Sequence, residues 1–328
     1  MGFLKKSSVG MEIDSKEIRV VSLEGTPEKP VVRVFARHAL PEGTVRDGKV
    51  INPAELGAAI SALWARENIQ GRDVILGINN QDVIIRFAVV PNLPADKLNN
   101  LIRFQASDYI PIPIDEIELD YTVVGNADNN AANMQKLLLV AGRKTMLYDF
   151  ITALEAARLR IADIAVSMIE MVRLVPQQMR SEPIVVVNIA NDFGNIVIMN
   201  REEPGMARTI SYPVSIQPSF SRLTGTDRYD STSARSEALD KVCNYLAGEI
   251  RSSIQYFRNQ EPDLNILQIY ITGSHARDEG LVTNVQQLLQ TDVTLLELSL
   301  AQKEKFLMGE SSSDYTVCYS LAMRGLEG

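Results

Sequence analysis

The sequence predicts an α/β protein made of two halves with the same opening layout. Residues 9–40 hold three short runs rich in β-branched side chains, which is typical of strands, and an amphipathic helical pattern follows at 52–69. The strand, acidic corner and strand at 9–25 have a counterpart at 184–203. In addition, residues 266–290 pass from an apolar strand through a Gly-Ser turn into a helical pattern, as βα units do.

The composition is that of an ordinary globular protein. The 328 residues are enough for two domains with sizeable cores, and the hydrophobic and charged fractions are 45% and 23%. A formal net charge of -8 argues against a broad nucleic-acid surface, since phosphate binding requires clustered lysine and arginine. The two cysteines, Cys243 and Cys318, match no metal-binding pattern and favour buried thiols in a reducing compartment. Because no apolar run approaches the roughly 20 residues that span a bilayer, we expect a cytoplasmic protein.

The first elements predict an antiparallel meander followed by a helix. Two strands at 9–23 and a third at 29–40 form the meander. The helix at 52–69 begins with an asparagine cap and a proline at its first position. Its apolar stripe comprises Leu56, Ile60, Leu63 and Trp64. Two further strands follow at 72–91, separated by an Asn-Asn turn signal.

The middle of the chain predicts a helix with an abrupt end. The helical pattern at 95–110 stops at the two prolines of "PIPIDEIELD", where an acidic extended run begins. The polar stretch 125–135 predicts a hairpin tip. A strand at 136–144 and a helix at 146–158 complete this region.

The second half predicts a hairpin, a loop and a long helix. After the hairpin at 184–203, the stretch 215–238 is rich in serine, threonine and charge, and we expect a mobile surface loop. A long helix follows within 236–261, with Pro262 past its end. Its apolar face comprises Leu239, Val242, Leu246, Ile250, Ile254 and Phe257.

Several strings in this order resemble one family. The most specific is "RFQASDYIPIPIDEIELDYTVVG" at 103–125, where a helix ends in Tyr-Ile-Pro and continues into an acidic strand. Supporting strings lie at 40–56, 248–257, 269–281 and 314–326. On these strings the chain resembles the type IV pilus assembly protein PilM family, cytoplasmic relatives of the cell-division protein FtsA in the actin-like ATPase superfamily.

The resemblance implies an actin-like fold, a duplicated α/β fold of the ribonuclease-H-like kind. It places the first half at 1–182, with an inserted subdomain of the FtsA and PilM type at about 90–160, and the second half at 183–328. It also implies a nucleotide site for ATP with magnesium. In that site Asp14 would hold the metal through water, and Ser15 and Lys16 would reach the phosphates.

Five further residues belong to the nucleotide site that the resemblance implies. They are Asn188, Asn191, Glu249, Gly273 and Ser274, and among them Glu249 and Gly273 would line the nucleoside pocket. The family's first Asp-Ile-Gly-Ser turn is here Ile13-Asp14-Ser15-Lys16 without glycine, and its second Asp-Ile-Gly is Asn-Ile-Ala. The third loop, a run of glycines in the family, keeps only Gly273 before Ser274 and His275. All three nucleotide loops therefore depart from the pattern, and the missing glycines matter because glycine lets the backbone approach an anion.

Two hypotheses follow from these departures. We expect a scaffold in which nucleotide hydrolysis is weak or lost, so no catalytic residue is assigned; the alternative is a working ATPase, in which the cation of Lys16 compensates for missing backbone contacts. A structural interpretation also stands, because Asp14, Asn188 and Asn191 are residue types that stabilise tight turns. The two histidines, His38 and His275, have no second ligand nearby in the sequence and predict no metal site.

The resemblance also implies partners: the amino-terminal segment of a PilN-like inner-membrane protein, and other components of pilus assembly. We expect that segment to dock near the inserted subdomain and to hold the chain at the inner membrane as a peripheral protein. The candidate contact residues are Tyr109, Ile110, Pro111, Ile112 and Pro113, although the same residues could only fix the helix-to-strand corner. Two related alternatives are the cytoplasmic domain of a type II secretion protein such as GspL and a filament-forming actin relative.

Overall fold

The computed structural model describes residues 6–126, 133–224, 232–262, 264–298 and 311–327. The strands are β1 Lys6–Ile13, β2 Glu17–Thr26, β3 Lys29–Ala39, β4 Val45–Arg46, β5 Lys49–Val50, β6 Asp73–Ile78, β7 Val83–Pro91, β8 Ile117–Asn126, β9 Met134–Arg143, β10 Arg160–Val166, β11 Ile184–Ile189, β12 Phe193–Asn200, β13 Glu203–Ser211, β14 Gln268–Thr272 and β15 Val293–Leu295. The helices are α1 Pro53–Arg66, α2 Ala95–Tyr109, α3 Lys144–Ala156, α4 Ser167–Glu170, α5 Gln177–Arg180, α6 Gln217–Thr224, α7 Thr232–Arg258, α8 Glu279–Leu289 and α9 Thr316–Glu327.

The first half is built on a five-stranded sheet in the order β3-β2-β1-β6-β10. The predicted meander is confirmed, since β1, β2 and β3 pair antiparallel, while β6 and β10 run parallel to β1. The predicted first helix is confirmed as α1, and its cap Asn52 accepts a hydrogen bond from the Glu55 amide at 3.2 Å. Helices α1 and α3 cover one face of the sheet, and α9 covers the other.

The second half repeats this topology. Its five-stranded sheet has the order β13-β12-β11-β14-β15, again a meander followed by two parallel strands. The predicted repetition of the strand-turn-strand unit is therefore confirmed. Helices α6, α7 and α8 pack on one face of this sheet. The other face packs against the first half, with Val186 and Val197 in one apolar cluster with Ile75 and with Leu321 of α9.

A separate three-stranded sheet interrupts the first half. Its order is β7-β9-β8, with both neighbours of β9 antiparallel to it. Helix α2 covers one face of this sheet through Leu98 and Ile102. The limits of 90–160 for an inserted subdomain stay a prediction, and one element inside that range, α3, belongs to the core of the first half. Part of the predicted hairpin tip, residues 127–132, lies outside the described residues.

The predicted surface loop at 215–238 is wrong. Residues Gln217–Thr224 form α6, and α7 already begins at Thr232, while 225–231 lie outside the described residues. Phe220 and Ala238 are buried in the core of the second half. Polar composition favoured a loop, but burial of one apolar face stabilises a helix more than composition opposes it.

Two predictions from composition can be compared with the structure. Cys243 and Cys318 are both buried and carry free thiols, as expected. Within the described ranges, no helix combines the length and the hydropathy that crossing a bilayer requires.

Candidate functional site

The corner of the first hairpin is organised around Asp14. One carboxylate oxygen, Oδ1, accepts hydrogen bonds from the amides of Lys16 and Glu17 at 2.8 and 3.0 Å, which is an Asx turn. The other, Oδ2, accepts from Arg19 and from the Asn191 amide group, both at 2.8 Å. Asp14 is buried, and its contact with Arg19 is buried as well, while the other three contacts are partly buried. Both oxygens of the predicted metal-binding carboxylate are therefore engaged within the protein.

A buried arginine lies behind this corner. The Arg19 guanidinium lies 2.8 Å from Asp14, 3.2 Å from Glu12 and 3.7 Å from Glu17. Burial by itself lowers the pKa of Arg19, but the three carboxylates outweigh it and hold that pKa well above its usual range. Burial also raises the pKa of Glu12 and of Glu17. Arg19 also donates to the Asp314 carbonyl oxygen at 3.4 Å, which ties the hairpin to the segment before α9.

Asp192, in the corner of the second hairpin, contacts the first half directly. Its Oδ2 accepts hydrogen bonds from the amides of Ser15 and Gly48 at 2.9 and 3.0 Å. Its Oδ1 accepts from the Ser15 hydroxyl. We call this set of three hydrogen bonds the Asp192 bridge. Ser15 was predicted to reach a phosphate. Its amide and its hydroxyl both donate to a carboxylate of the same chain instead.

The second predicted loop is held by amide side chains. Asn188 is buried, and its side-chain amide donates to the side-chain oxygen Oδ1 of Asn195 at 3.2 Å. Asn195 in turn exchanges two hydrogen bonds with Asn79 of the first half, at 3.0 and 2.9 Å. The Ala190 carbonyl accepts from the Tyr212 hydroxyl at 3.0 Å. Asn188 therefore joins an amide chain that crosses between the halves.

The third predicted loop packs against the second hairpin. Gly273 has a φ of 101°, and a Cβ there would come within 2.7 Å of the Ile189 carbonyl oxygen, so only glycine fits without strain. Ser274 is buried, and its hydroxyl has no hydrogen-bond partner among the described residues. Burial, with the nearby cation of Lys16 adding to it, lowers the pKa of His275 to about 3, so its ring is neutral near pH 7.

A polar cavity of about 250 Å³ lies between the halves, and we call it the cleft. Its lining residues are Ser15, Lys16, Arg46, Asp47, Asn191, Asp192, Tyr212, Gln217, Phe220 and His275. Glu249, which the resemblance placed in the nucleoside pocket, does not line this cavity. It forms an ion pair with Arg208 of β13 instead.

The structure brings some of the predicted residues together and not others. Asp14, Ser15, Lys16 and Asn191 meet at the two hairpin corners, and Gly273 packs against Asn188 behind them. The sequence interpretation missed Asp192, Gly48 and Arg19. An acidic residue directly after Asn191, in the repeated turn, was the available signal for Asp192.

These hydrogen bonds can be compared with the donors and acceptors that a bound magnesium nucleotide requires. Such a ligand needs unpaired donors for its phosphates and a carboxylate that can reach hydrated magnesium. In this arrangement Asp14 already accepts four hydrogen bonds and Ser15 donates twice to Asp192. In the part of the chain that the structure describes, no group of three or more histidine, cysteine, aspartate or glutamate side chains is arranged so that it could hold a metal ion. The residues as arranged therefore do not fit the group.

A second candidate surface lies between the inserted sheet and the first half. Its cavity of about 410 Å³ is mostly apolar, and a smaller cavity of about 150 Å³ extends it toward Arg324. We call this continuous surface the inter-sheet groove. The larger cavity is lined by Ile78, Glu118, Leu119, Asp120, Val140, Gly142, Lys144, Leu147, Tyr148, Ile151, Asp163, Ile164 and Val166. The smaller cavity adds Tyr121, Thr122, Leu138, Ala165, Ile169, Glu170 and Arg324. Strands β8 and β10, which flank it, are edge strands of their sheets.

The five predicted partner residues lie at the corner after α2. Ile110 is buried in a small cluster with Ile117 and Ala141, and Tyr109 and Ile112 pack against the same cluster. Pro111 and Pro113 are exposed. None of the five lines the inter-sheet groove, so partner contact at this corner stays a prediction.

The duplicated sheets, the facing hairpins and the cleft between them define a protein with the actin-like ATPase fold. The sequence matches the family of type IV pilus assembly protein PilM over residues 10–212. The chain belongs to this family.

Solved structures agree on the fold. The chain of a PilM-PilN type IV pilus biogenesis complex has a TM-score of 0.82 and 21% identity, over 98% of this chain and 99% of that one. The ethanolamine utilization protein EutJ from Carboxydothermus hydrogenoformans has a TM-score of 0.56 and 12% identity, over 97% and 89%. A nucleotide-free diol dehydratase-reactivating factor has a TM-score of 0.53 and 8% identity, over 98% and 100%. At these identities the likeness shows the fold alone.

Proposed function

We propose that this chain is an actin-like scaffold of type IV pilus assembly, which binds the amino-terminal segment of a PilN-like inner-membrane protein. Family membership supports the process, and the match over nearly the whole chain to a protein solved as a PilM-PilN complex supports the partner. The observation that carries the proposal is the inter-sheet groove, an open apolar surface bounded by two strand edges.

The groove suits an extended peptide. Edge strands present backbone groups that an added strand can pair with, and alternate side chains of that strand can enter apolar pockets. Leu147, Ile151 and Ile164 provide the apolar lining, and Tyr148 is 63% exposed beside them. An aromatic side chain at the edge of a groove is a frequent binding hot spot.

Charge selects among such peptides. Four carboxylates line the groove, those of Glu118, Asp120, Asp163 and Glu170, against two cations, Lys144 and Arg324. Lys144 lies 3.8 Å from Glu118, and Arg324 pairs with Asp163 and Glu170 at 2.7 and 3.0 Å, so the lining keeps an excess of negative charge. The segment we propose is therefore apolar with at least one cationic side chain. Through this partner the chain would lie at the cytoplasmic face of the inner membrane.

We also propose that nucleotide hydrolysis is lost. The engaged oxygens of Asp14 and the pairing of Glu249 with Arg208 support this, because phosphoryl transfer depends on positioned charges. The working ATPase is the competing hypothesis, and one observation favours it: the cations Lys16 and Arg46 line the cleft.

The experiment is a calorimetric titration of the full chain with a synthetic peptide of the PilN-like protein's amino-terminal segment. We expect binding, and Tyr148→Ala should weaken it about tenfold or more, since truncating an aromatic hot spot often costs over 1.4 kcal/mol. Phe104→Ala is the matched control, because Phe104 is an 86% exposed aromatic side chain on α2 outside the groove.

Two outcomes would contradict the proposal. Absence of peptide binding to the unmodified chain would overturn the scaffold, and equal losses in Tyr148→Ala and Phe104→Ala would overturn the groove as its site. Mg-ATP turnover by the unmodified chain that Asp14→Asn abolishes would overturn the loss of hydrolysis.

A further inference from the structure

The donors of the Asp192 bridge come from two separate turns of the first half. Ser15 lies in the corner between β1 and β2, and Gly48 in the Asp-Gly turn between β4 and β5. Asp47 and Gly48 both have positive φ, 51° and 66°, as a type I′ turn requires. This turn geometry presents the Gly48 amide beside the donors of Ser15, so that one carboxylate can accept from both.

The three donors of the Asp192 bridge are arranged like those of an anion-binding site. Two backbone amides and a hydroxyl converge on one point, and the lysine that follows Ser15 lines the same cavity. Converging backbone amides in turns bind phosphates and carboxylates alike. In this chain the anion that they bind is the side chain of Asp192.

We propose that the Asp192 carboxylate is an internal ligand that takes the place of a phosphate in the cleft, so that the two halves are held together without a nucleotide. This inference rests on the proposed function only in the loss of nucleotide chemistry. It also assigns a role to Asp192. If the site had only lost its nucleotide, the donors of Ser15 and Gly48 would have no partner.

Other hydrogen bonds between the two halves also hold them together. Asn191 donates to Asp14, Asn79 and Asn195 exchange two hydrogen bonds, and Gln81 donates to the Ser211 hydroxyl at 3.0 Å. Burial raises the pKa of Asp192, while the hydrogen bonds from Ser15 and Gly48 lower it. The hydrogen bonds therefore offset part of the cost of placing a charge in the cleft.

The test is a calorimetric titration of the full chain with sodium tripolyphosphate, a probe that carries the anion without a nucleoside. We expect Asp192→Ala to bind it about tenfold more tightly than the unmodified chain, because charge-assisted donors become available. Asp192→Asn keeps the shape of the side chain and loses its charge, so it should fold in any case. We expect its affinity to rise about threefold, since its amide oxygen still accepts from the two backbone amides.

Asp47→Asn is the matched control. Asp47 lines the same cavity and carries the same charge, but it accepts none of the three hydrogen bonds of the Asp192 bridge. The inference is overturned if Asp192→Ala and Asp192→Asn bind tripolyphosphate no more tightly than Asp47→Asn. The peptide titration reports on the groove alone, so failure of the scaffold and failure of the bridge can be told apart.

Discussion

The cleft and the inter-sheet groove are two cavities of the described residues, and they differ in polarity, in size and in the contacts of their lining side chains. The cleft is polar, and side chains of both halves cross it in hydrogen bonds with one another. The groove is mostly apolar and larger, about 410 Å³ against about 250 Å³. Its edge strands belong to different sheets, and its partly exposed apolar side chains face open space.

This difference indicates which of the two cavities has groups available to bind a ligand. In the cleft, Asp14 and Ser15 already form hydrogen bonds within the protein, so a ligand of these groups would have to displace internal bonds. In the groove, apolar surface is exposed and a ligand would only displace water. Under the proposed function, the cleft contributes to stability and the groove to recognition. The following predictions test this division, in order of decreasing effect on stability.

The largest effect is expected in the charge cluster behind the cleft. Arg19→Met should lower the free energy of unfolding by about 3–5 kcal/mol, because Glu12 and Asp14 lose their buried counter-charge. Urea unfolding followed by circular dichroism measures the change. Arg33→Met is the control, since Arg33 pairs with Glu24 at the surface, and a loss there as large as for Arg19 would contradict the account.

Gly273 gives the next effect. Gly273→Ala should destabilise the chain by about 1–3 kcal/mol, because alanine at this positive φ is strained and its Cβ meets the Ile189 backbone. Gly248→Ala is the matched control in the middle of α7, where nothing lies within 4 Å of an added Cβ. There alanine should stabilise the chain by about 0.5–1 kcal/mol in thermal unfolding. Opposite signs are expected, and the same sign at both sites would contradict the close packing of the third loop.

The free energy of unfolding should also depend on pH, through the buried carboxyl group of Asp314. Burial raises the pKa of Asp314 to about 6 from its usual 3.8, so the folded state holds this proton more tightly than the unfolded state. That stabilisation is complete below about pH 4 and is lost as the pH rises through 6. Urea unfolding between pH 5 and 7 should thus show stability falling by on the order of 1–2 kcal/mol, and falling less in Asp314→Asn. A profile that Asp314→Asn leaves unchanged would show that this carboxyl is not responsible.

The smallest effect on stability is expected in the groove. Tyr148→Ala should change the free energy of unfolding by less than about 0.5 kcal/mol, because its side chain is 63% exposed. The same substitution is expected to weaken peptide binding strongly. A large loss of stability here would mean that the groove is part of the core, and the contrast with the cleft would fail.

Much of the fold follows from local sequence patterns. The meander, the capped helix at Asn52 and the repeated hairpin were predicted because each depends on signals within about ten residues. The loop predicted at 215–238 was wrong because Phe220 and Ala238 owe their helical setting to a core formed by distant strands. No local pattern contains that information.

The site was less predictable for the same reason. Asp14 and Asn191 were singled out separately, yet their hydrogen bond joins residues 177 positions apart in the sequence. Asp192 was missed because its role depends on Ser15 and Gly48, which lie in other turns. Missing glycines indicated that the loops had changed, but only the structure identified the carboxylate opposite them.

The central claim, that the halves are closed by the protein's own side chains, can be tested by measuring the distance between them. Spin labels at Ala62→Cys on α1 and Ser252→Cys on α7 lie on exposed positions of the two halves, and both native cysteines are buried. Double electron–electron resonance should give one narrow distance distribution that Mg-ATP does not change. In Asp192→Ala the distribution should broaden and respond to tripolyphosphate. A shift of the unmodified chain's distance on adding Mg-ATP would contradict the account.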